Sequence, residues 1–168
     1  MAKHLMLIRH AKSNRDDLLL ADFQRPLNER GHNNAVEMAT RIIKKELIPK
    51  QLISSPAKRA LTTAKLFASE FKIQQSEIIQ KEEIYEAPSQ ILLNIVNNLD
   101  ESSNFTAIFG HNPGLSSIAN YLCEEAAFNL PTCGIILLKF QFEKWQMLSR
   151  GTGELILFDY PKNISPLI

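Results

Sequence analysis

The chain enters a short, uninterrupted apolar run almost at once, Leu5-Met6-Leu7-Ile8, with Arg9 and His10 directly behind it. Such a run, without polar alternation, suits a strand buried on both faces, as in a parallel sheet. The chain that follows has to supply the helices that cover it. Ala35, Met38, Ala39, Ile42, Ile43 and Leu47 recur at helical spacing, and Pro49 marks the stop. Gln51–Ser54 reads as a second strand. It leads into a second helical pattern on Ala60, Leu61, Ala64, Leu66, Phe67 and Phe71. Glu77–Gln80 is a weak strand. Ser89 reads as the N-cap of a helix carrying Leu92, Ile95, Val96 and Leu99. Thr106–Phe109 is the next strand, and Asn112-Pro113-Gly114 turns it into a helix with Leu115, Ile118, Ala119 and Leu122. Gly134–Phe142 and Glu154–Phe158 read as late strands, with Trp145–Leu148 between them and Gly151-Thr152-Gly153 as a hairpin turn.

Strands alternating with helices predict an α/β fold with a mostly parallel sheet, and the late hairpin predicts an antiparallel edge. No repeat or linker divides the chain, so residues 1–168 read as one domain.

Composition narrows the function. Lys plus Arg number 19 and Asp plus Glu 18, a net charge of +1 that gives no bulk attraction for nucleic acid or an anionic membrane. Any anion site must therefore be local. Two cysteines, Cys123 and Cys133, form no disulfide framework and no C-x-x-C ligand pair. The apolar run at Leu5–Ile8 is far short of the ~20 residues that span a bilayer, and nothing at Met1–His4 resembles a signal peptide. The expectation is a cytoplasmic protein without membrane or nucleic-acid partners.

In open α/β sheets, ligands bind beyond the carboxyl ends of the strands. Arg9-His10-Ala11-Lys12-Ser13-Asn14 follows the first apolar run. Ser54-Ser55-Pro56-Ala57-Lys58-Arg59 follows the second. Gly110-His111-Asn112-Pro113 follows the fourth. If those strands are neighbours, two histidines and two arginines meet at one rim. Guanidinium forks match phosphate oxygens bidentately, and an imidazole can attack phosphorus and later release it to water. Arg59 falls near the start of a helix, where the dipole disfavours a cation, so its placement there points to a use.

These residues carry a resemblance. Arg9-His10-Ala11-Lys12-Ser13 resembles the signature of the histidine phosphatase superfamily, which includes the phosphoglycerate mutases. It is most similar to the short SixA-like branch of phosphohistidine phosphatases. Asp22 to Gly31, Ser54 to Ala60, Gly110 to Leu115 and Leu130 to Gly134 look like that branch too. The resemblance implies a phosphoglycerate mutase-like fold, with helices on both faces of the sheet. It implies a hydrolase in which His10 becomes phosphohistidine while Arg9, Arg59 and His111 hold the phosphoryl group, with Ser13 and Asn14 as further polar contacts. Two nearby arginine charges would keep the His10 imidazole neutral, as attack requires. They also supply the positive charge that a metal supplies elsewhere, so neither a metal nor another cofactor is expected.

Mutases and broad phosphatases of the superfamily place a Glu or Asp between the second Arg and the second His, whereas SixA-like members can lack the acid altogether. Here Glu82, Glu83 and Glu86 lie in that interval, and Glu86 fits best by motif. It reads either as the general acid or as a surface loop carboxylate. A leaving imidazole, with a conjugate-acid pKa near 6.5, tolerates a weak or absent acid; an alkoxide does not. The short segment Gln80–Phe105 predicts an open pocket. The expected substrate is a phosphohistidine-bearing protein, with small phosphorylated molecules as the alternative. From another class, the pocket could belong to a non-catalytic phospho-ligand binding module, although a binder has no need of a nucleophilic histidine. Cys123, Cys133 and Trp145 read as packing residues, and Lys44-Lys45 as a solvated helix face. The sequence does not indicate an oligomeric state.

Overall fold

The structure is a computed structural model and describes residues 1–125 and 127–164. Six strands form one sheet: β1 (Lys3–Arg9), β2 (Gln51–Ser54), β3 (Ile79–Gln80), β4 (Phe105–Gly110), β5 (Ile135–Phe140) and β6 (Glu154–Asp159), in the order β3-β2-β4-β1-β5-β6. β1, β2, β3 and β4 pair in parallel. β5 runs antiparallel to β1, and β6 antiparallel to β5. The expected α/β architecture with late antiparallel strands is therefore present. β5 lies inside the sheet against β1, and of the two antiparallel strands β6 forms an edge.

Alternating strand residues serve two cores. Leu5 and Leu7 face the helices α3 (Ser89–Asn97) and α4 (Gly114–Leu122), with Ile108, Leu115, Ile118 and Ile136. Met6 and Ile8 face α1 (Glu29–Lys44) and α2 (Lys58–Phe71), with Met38, Ile42, Phe67 and Phe109. All four residues of the opening run are 0–1% exposed. Each contributes about 1.5–3 kcal/mol by burial, so β1 is the central rib of the molecule.

Several local expectations shift. α1 begins at Glu29, a turn and a half before its first predicted apolar residue, because the Asn28 side chain accepts the Gly31 amide and caps it. Ser89 is not a cap: it is the first helical residue of α3, Pro88 stands at the cap position, and no side chain caps that end. The strand predicted over Glu77–Gln80 is confined to Ile79–Gln80, because Gln75–Glu77 forms a 3₁₀ turn. Gly151–Gly153 is not a tight hairpin turn but the end of a longer connection, tied to α4 by Gly151 N to Tyr121 O and Gly153 N to Leu122 O. Trp145 is fully buried beneath α3, and its indole N–H donates to Ser103 O at 2.9 Å. Among the described residues no helix is long and apolar enough to cross a membrane.

Candidate active site

Strand register brings the predicted residues to one rim. Arg9, the last residue of β1, pairs with Gly110, the last of β4, and Ser54 of β2 pairs with Phe109. Two further main-chain bonds extend this alignment past the strands: His10 N to Gly110 O at 3.0 Å and Ser55 N to Phe109 O at 3.0 Å. His10, Ser55 and His111 thus emerge side by side, and the His10 and His111 rings lie 5.4 Å apart. Arg59, the second residue of α2, is buried beside them.

The His10 ring is oriented by its own loop. Nδ1 lies 2.8 Å from Ala11 O. A carbonyl only accepts, so Nδ1 carries the proton and Nε2 keeps a free lone pair. The loop is fixed in turn to α2: Ala11 N donates to Thr63 Oγ1 at 3.0 Å, and Thr63 Oγ1 donates to Arg59 O at 2.7 Å. Burial, and then the charges of His111, Arg59 and Arg9, push the His10 pKa down to about 3, against the opposing bond to Ala11. The imidazole is neutral at neutral pH. Burial, followed by the Arg59 charge, lowers His111 to about 4. It too is neutral in the free protein.

The two arginines are held in the same way. Arg9 Nη1 donates to Leu130 O at 3.1 Å, and Arg59 Nη1 donates to Asp22 O at 2.7 Å. In both, the Nε–H is buried with no partner in the protein. His111 repeats the pattern: Nε2 lies 2.8 Å from Ser55 Oγ, while Nδ1 is buried and unpartnered. A buried polar group left unsatisfied costs about 1–3 kcal/mol. Three such nitrogens, on the two arginines and the histidine, surround His10.

Sequence reasoning gave Asp22 no role, yet it is the hub of the outer wall. Its Oδ2 accepts from Arg59 Nη2 at 2.9 Å and from Tyr85 OH at 2.6 Å, and its Oδ1 accepts from Arg25 Nη2 at 2.8 Å. The bonds from Tyr85 and Arg25, then Arg59, hold this carboxyl well below the usual carboxylate range. Tyr85 also sets its ring edge-on to His111 at 5.5 Å. Asp22 stood in plain view inside the Asp22–Gly31 motif. The missed signal was that a buried Arg59 needs a carboxylate partner.

The remaining predicted residues are placed unequally. Ser13 is buried, forms a bridge with Leu27, and its Oγ accepts from Arg25. Asn14 is not drawn into the cluster: its Oδ1 accepts the Asp16 amide at 2.8 Å and shapes the turn that follows. Glu86 is exposed, has φ of 56°, and lines a cleft of about 490 Å³ with Asp22, Arg59 and His111. Glu82 and Glu83 are exposed outside that cleft. Gly114 explains how the Glu86 segment is seated: a Cβ there would stand 2.2 Å from Ala87 O, so α4 starts directly against this loop. Cys133 contributes its main chain, donating from N to Arg9 O and His10 O, while its thiol is buried in the core under α1, which pushes its pKa up.

The model of the histidine phosphatase superfamily (branch 1) matches residues 5–92. Among solved structures, the chain is similar to one assigned as the phosphohistidine phosphatase SixA of Agrobacterium tumefaciens. The TM-score is 0.79 and the identity 25%, over 95% of this chain and 98% of that one. It is also similar in fold to the protein histidine phosphatase SixA complexed with tungstate, with a TM-score of 0.77 and 19% identity over 96% and 99% of the two chains. A chloroplast protein of Arabidopsis thaliana is 28% identical over 159 residues, 87% of this chain and 70% of that one.

Proposed function

This chain belongs to the histidine phosphatase superfamily, and from that premise we propose that it is a phosphatase working through a phosphohistidine on His10. The observation that carries the reading is the set of three unpartnered buried nitrogens, Arg9 Nε, Arg59 Nε and His111 Nδ1, around a neutral imidazole whose Nε2 is free; with Ser55 Oγ donating to His111 Nε2, Nδ1 carries the proton and all three can donate. In the first step the Nε2 lone pair attacks phosphorus. The bond from phosphorus to the leaving atom breaks, and its electron pair stays with the leaving atom, which takes up a proton. The three donors share the equatorial oxygens, where charge develops. The Nδ1–H bond to Ala11 O stabilises the positive charge that the ring gains on phosphorylation. In the second step water attacks phosphorus, the Nε2–P bond breaks with its pair returning to His10, and the water's proton leaves. The low proton affinity of the buried His10 makes it a good leaving group in this step.

The proposed substrate is a phosphohistidine carried on a protein. Its leaving imidazole needs little proton assistance, which suits a cleft lined by a glutamate, Glu86, that is on an exposed loop. The similarity to SixA structures supports the same reading. One observation favours small phosphomonoesters instead: Glu86 shares a cleft with Arg59 and His111, where it could protonate an alkoxide. Turnover measured side by side on a phosphohistidine protein and a panel of phosphomonoesters decides between them. A rapid quench at alkaline pH tests the mechanism. Acid-labile label on His10 is expected, and label on a serine would overturn it.

A further inference from the structure

The rim that carries the catalytic cluster continues past β1 and carries a second basic site. β5 starts at this edge, because Ile135 pairs with Ile8, and β6 ends at it, because Asp159 pairs with Ile135. α1 also begins here, since Gly31 packs so tightly on the loop after β1 that a Cβ would stand 2.1 Å from Lys12 O. Lys12, Arg30 and Lys162 therefore meet in one pocket of about 220 Å³, walled by Pro131, Thr132 and Tyr160. All three cations are exposed, and none has an ion pair or side-chain hydrogen bond among the described residues. Among the described residues no carboxylate lines the pocket. Its walls are fixed: Arg41 donates to Tyr160 O at 3.0 Å and Pro161 O at 2.9 Å, and Cys133 N holds the end of the Leu130–Cys133 segment against Arg9 and His10. That segment separates the two sites. Leu130 O accepts from Arg9 on one side, while Pro131 and Thr132 line the basic pocket on the other.

Three uncompensated cations in a chain of net charge +1 are a local attractor for anions. We propose that Lys12, Arg30 and Lys162 form a docking subsite for acidic side chains of the phosphorylated protein partner. The partner's chain lies across the Leu130–Cys133 partition while its phosphoryl group enters the His10 pocket. The proposal rests on the phosphatase reading for the identity of that partner. An extended segment reaches across the partition, whereas a small phosphorylated molecule occupying the His10 pocket does not.

The test uses two short peptides with a central phosphohistidine, one flanked by Asp and Glu, the other by Asn and Gln. Binding is measured on a His10→Ala background, where turnover is blocked. Turnover of phosphoramidate, too small to reach the subsite, is measured on the His10 proteins. At low salt the acidic peptide should bind about fivefold more tightly, the upper scale of one exposed ion pair, and the preference should fade as salt rises. Arg30→Glu/Lys162→Glu should abolish or reverse the preference, and the milder Arg30→Gln/Lys162→Gln should reduce it, while phosphoramidate turnover stays unchanged. Equal binding of the two peptides, or a preference that survives both double variants, would overturn the subsite. If the folded wild-type protein fails on phosphoramidate but the charge variants still lose the binding preference, the phosphatase reading falls and the subsite stands.

Discussion

Arg59 and Asp22 meet through two hydrogen bonds, from Nη1 to the main-chain oxygen at 2.7 Å and from Nη2 to Oδ2 at 2.9 Å, which leave Nε as the buried guanidinium nitrogen without a partner. The carboxylate therefore fixes which edge of Arg59 faces the anion, while Tyr85 and Arg25 fix the carboxylate. Asp22 acts through Arg59 and is a positioning residue.

Asp22→Ala is expected to lower kcat/KM roughly tenfold to hundredfold, in line with about 1.5–3 kcal/mol for hydrogen bonds to charged groups. Asp22→Asn keeps an acceptor for Arg59 and should recover most of the loss, and Tyr85→Phe should cost only a few-fold. Steady-state kinetics on one substrate checks all three. An Asp22→Asn variant no better than Asp22→Ala would remove the positioning role.

Arg9→Ala and Arg59→Ala should each cost about 2.7–4 kcal/mol of transition-state stabilisation, the scale of a lost oxyanion donor. Lysine should not rescue either one. Each guanidinium spends an Nη on a carbonyl, Leu130 O or Asp22 O, and keeps Nε for the anion. A single ammonium has no such divided geometry. Near-native kcat/KM in a folded Lys variant would contradict this division of labour.

How much of this was legible beforehand depends on what kind of contact carries it. Arg9, His10, Arg59 and His111 could be read because each follows an apolar run, and strand ends in a parallel sheet converge by register alone. Asp22 and Tyr85 could not be read that way. They reach Arg59 from a 3₁₀ turn and from the loop just after another, 37 and 26 positions away along the chain, and no periodicity encodes those approaches. Asn14 shows why a polar residue near a strand end is hard to read: a short amide serves its own turn as readily as a ligand. The start of α1 was missed because its first turn is polar and is fixed by Asn28 and Gly31, not by apolar spacing.

Gly31 gives a stability prediction. A Cβ there would stand 2.1 Å from Lys12 O, an overlap with main chain that no rotamer relieves. Gly31→Ala should destabilise the protein by about 1–3 kcal/mol, the usual cost of overpacking, and should lower activity because Lys12 belongs to the His10 loop. Thermal unfolding checks the first part. An unchanged midpoint would mean that the loop and α1 separate freely.

The two histidines predict a direction for pH. Their folded pKa values, about 3 for His10 and about 4 for His111, lie below the unfolded value near 6.5. The unfolded chain therefore binds more protons across that interval, so stability is full above about pH 6.5 and is lost as pH falls towards 3. His10→Asn and His111→Asn should each flatten the decline in denaturant midpoint between pH 6.5 and 4. A decline of unchanged slope in both variants would assign the acid sensitivity to other groups.

Glu86 separates the two substrate readings. It is exposed and lines the cleft with Arg59 and His111. If it donates a proton there, Glu86→Gln should slow alkyl phosphates about a hundredfold, at the low end of general-acid effects, because an alkoxide leaves poorly without one. Phosphohistidine turnover should change little, since imidazole is far less basic. Comparing kcat for the two substrates in the same variant makes the test internal. An equal loss on both would mean that Glu86 shapes the cleft and moves no proton. No loss on either would make it a surface carboxylate, and would leave a site suited to leaving groups that need no acid, which favours phosphohistidine.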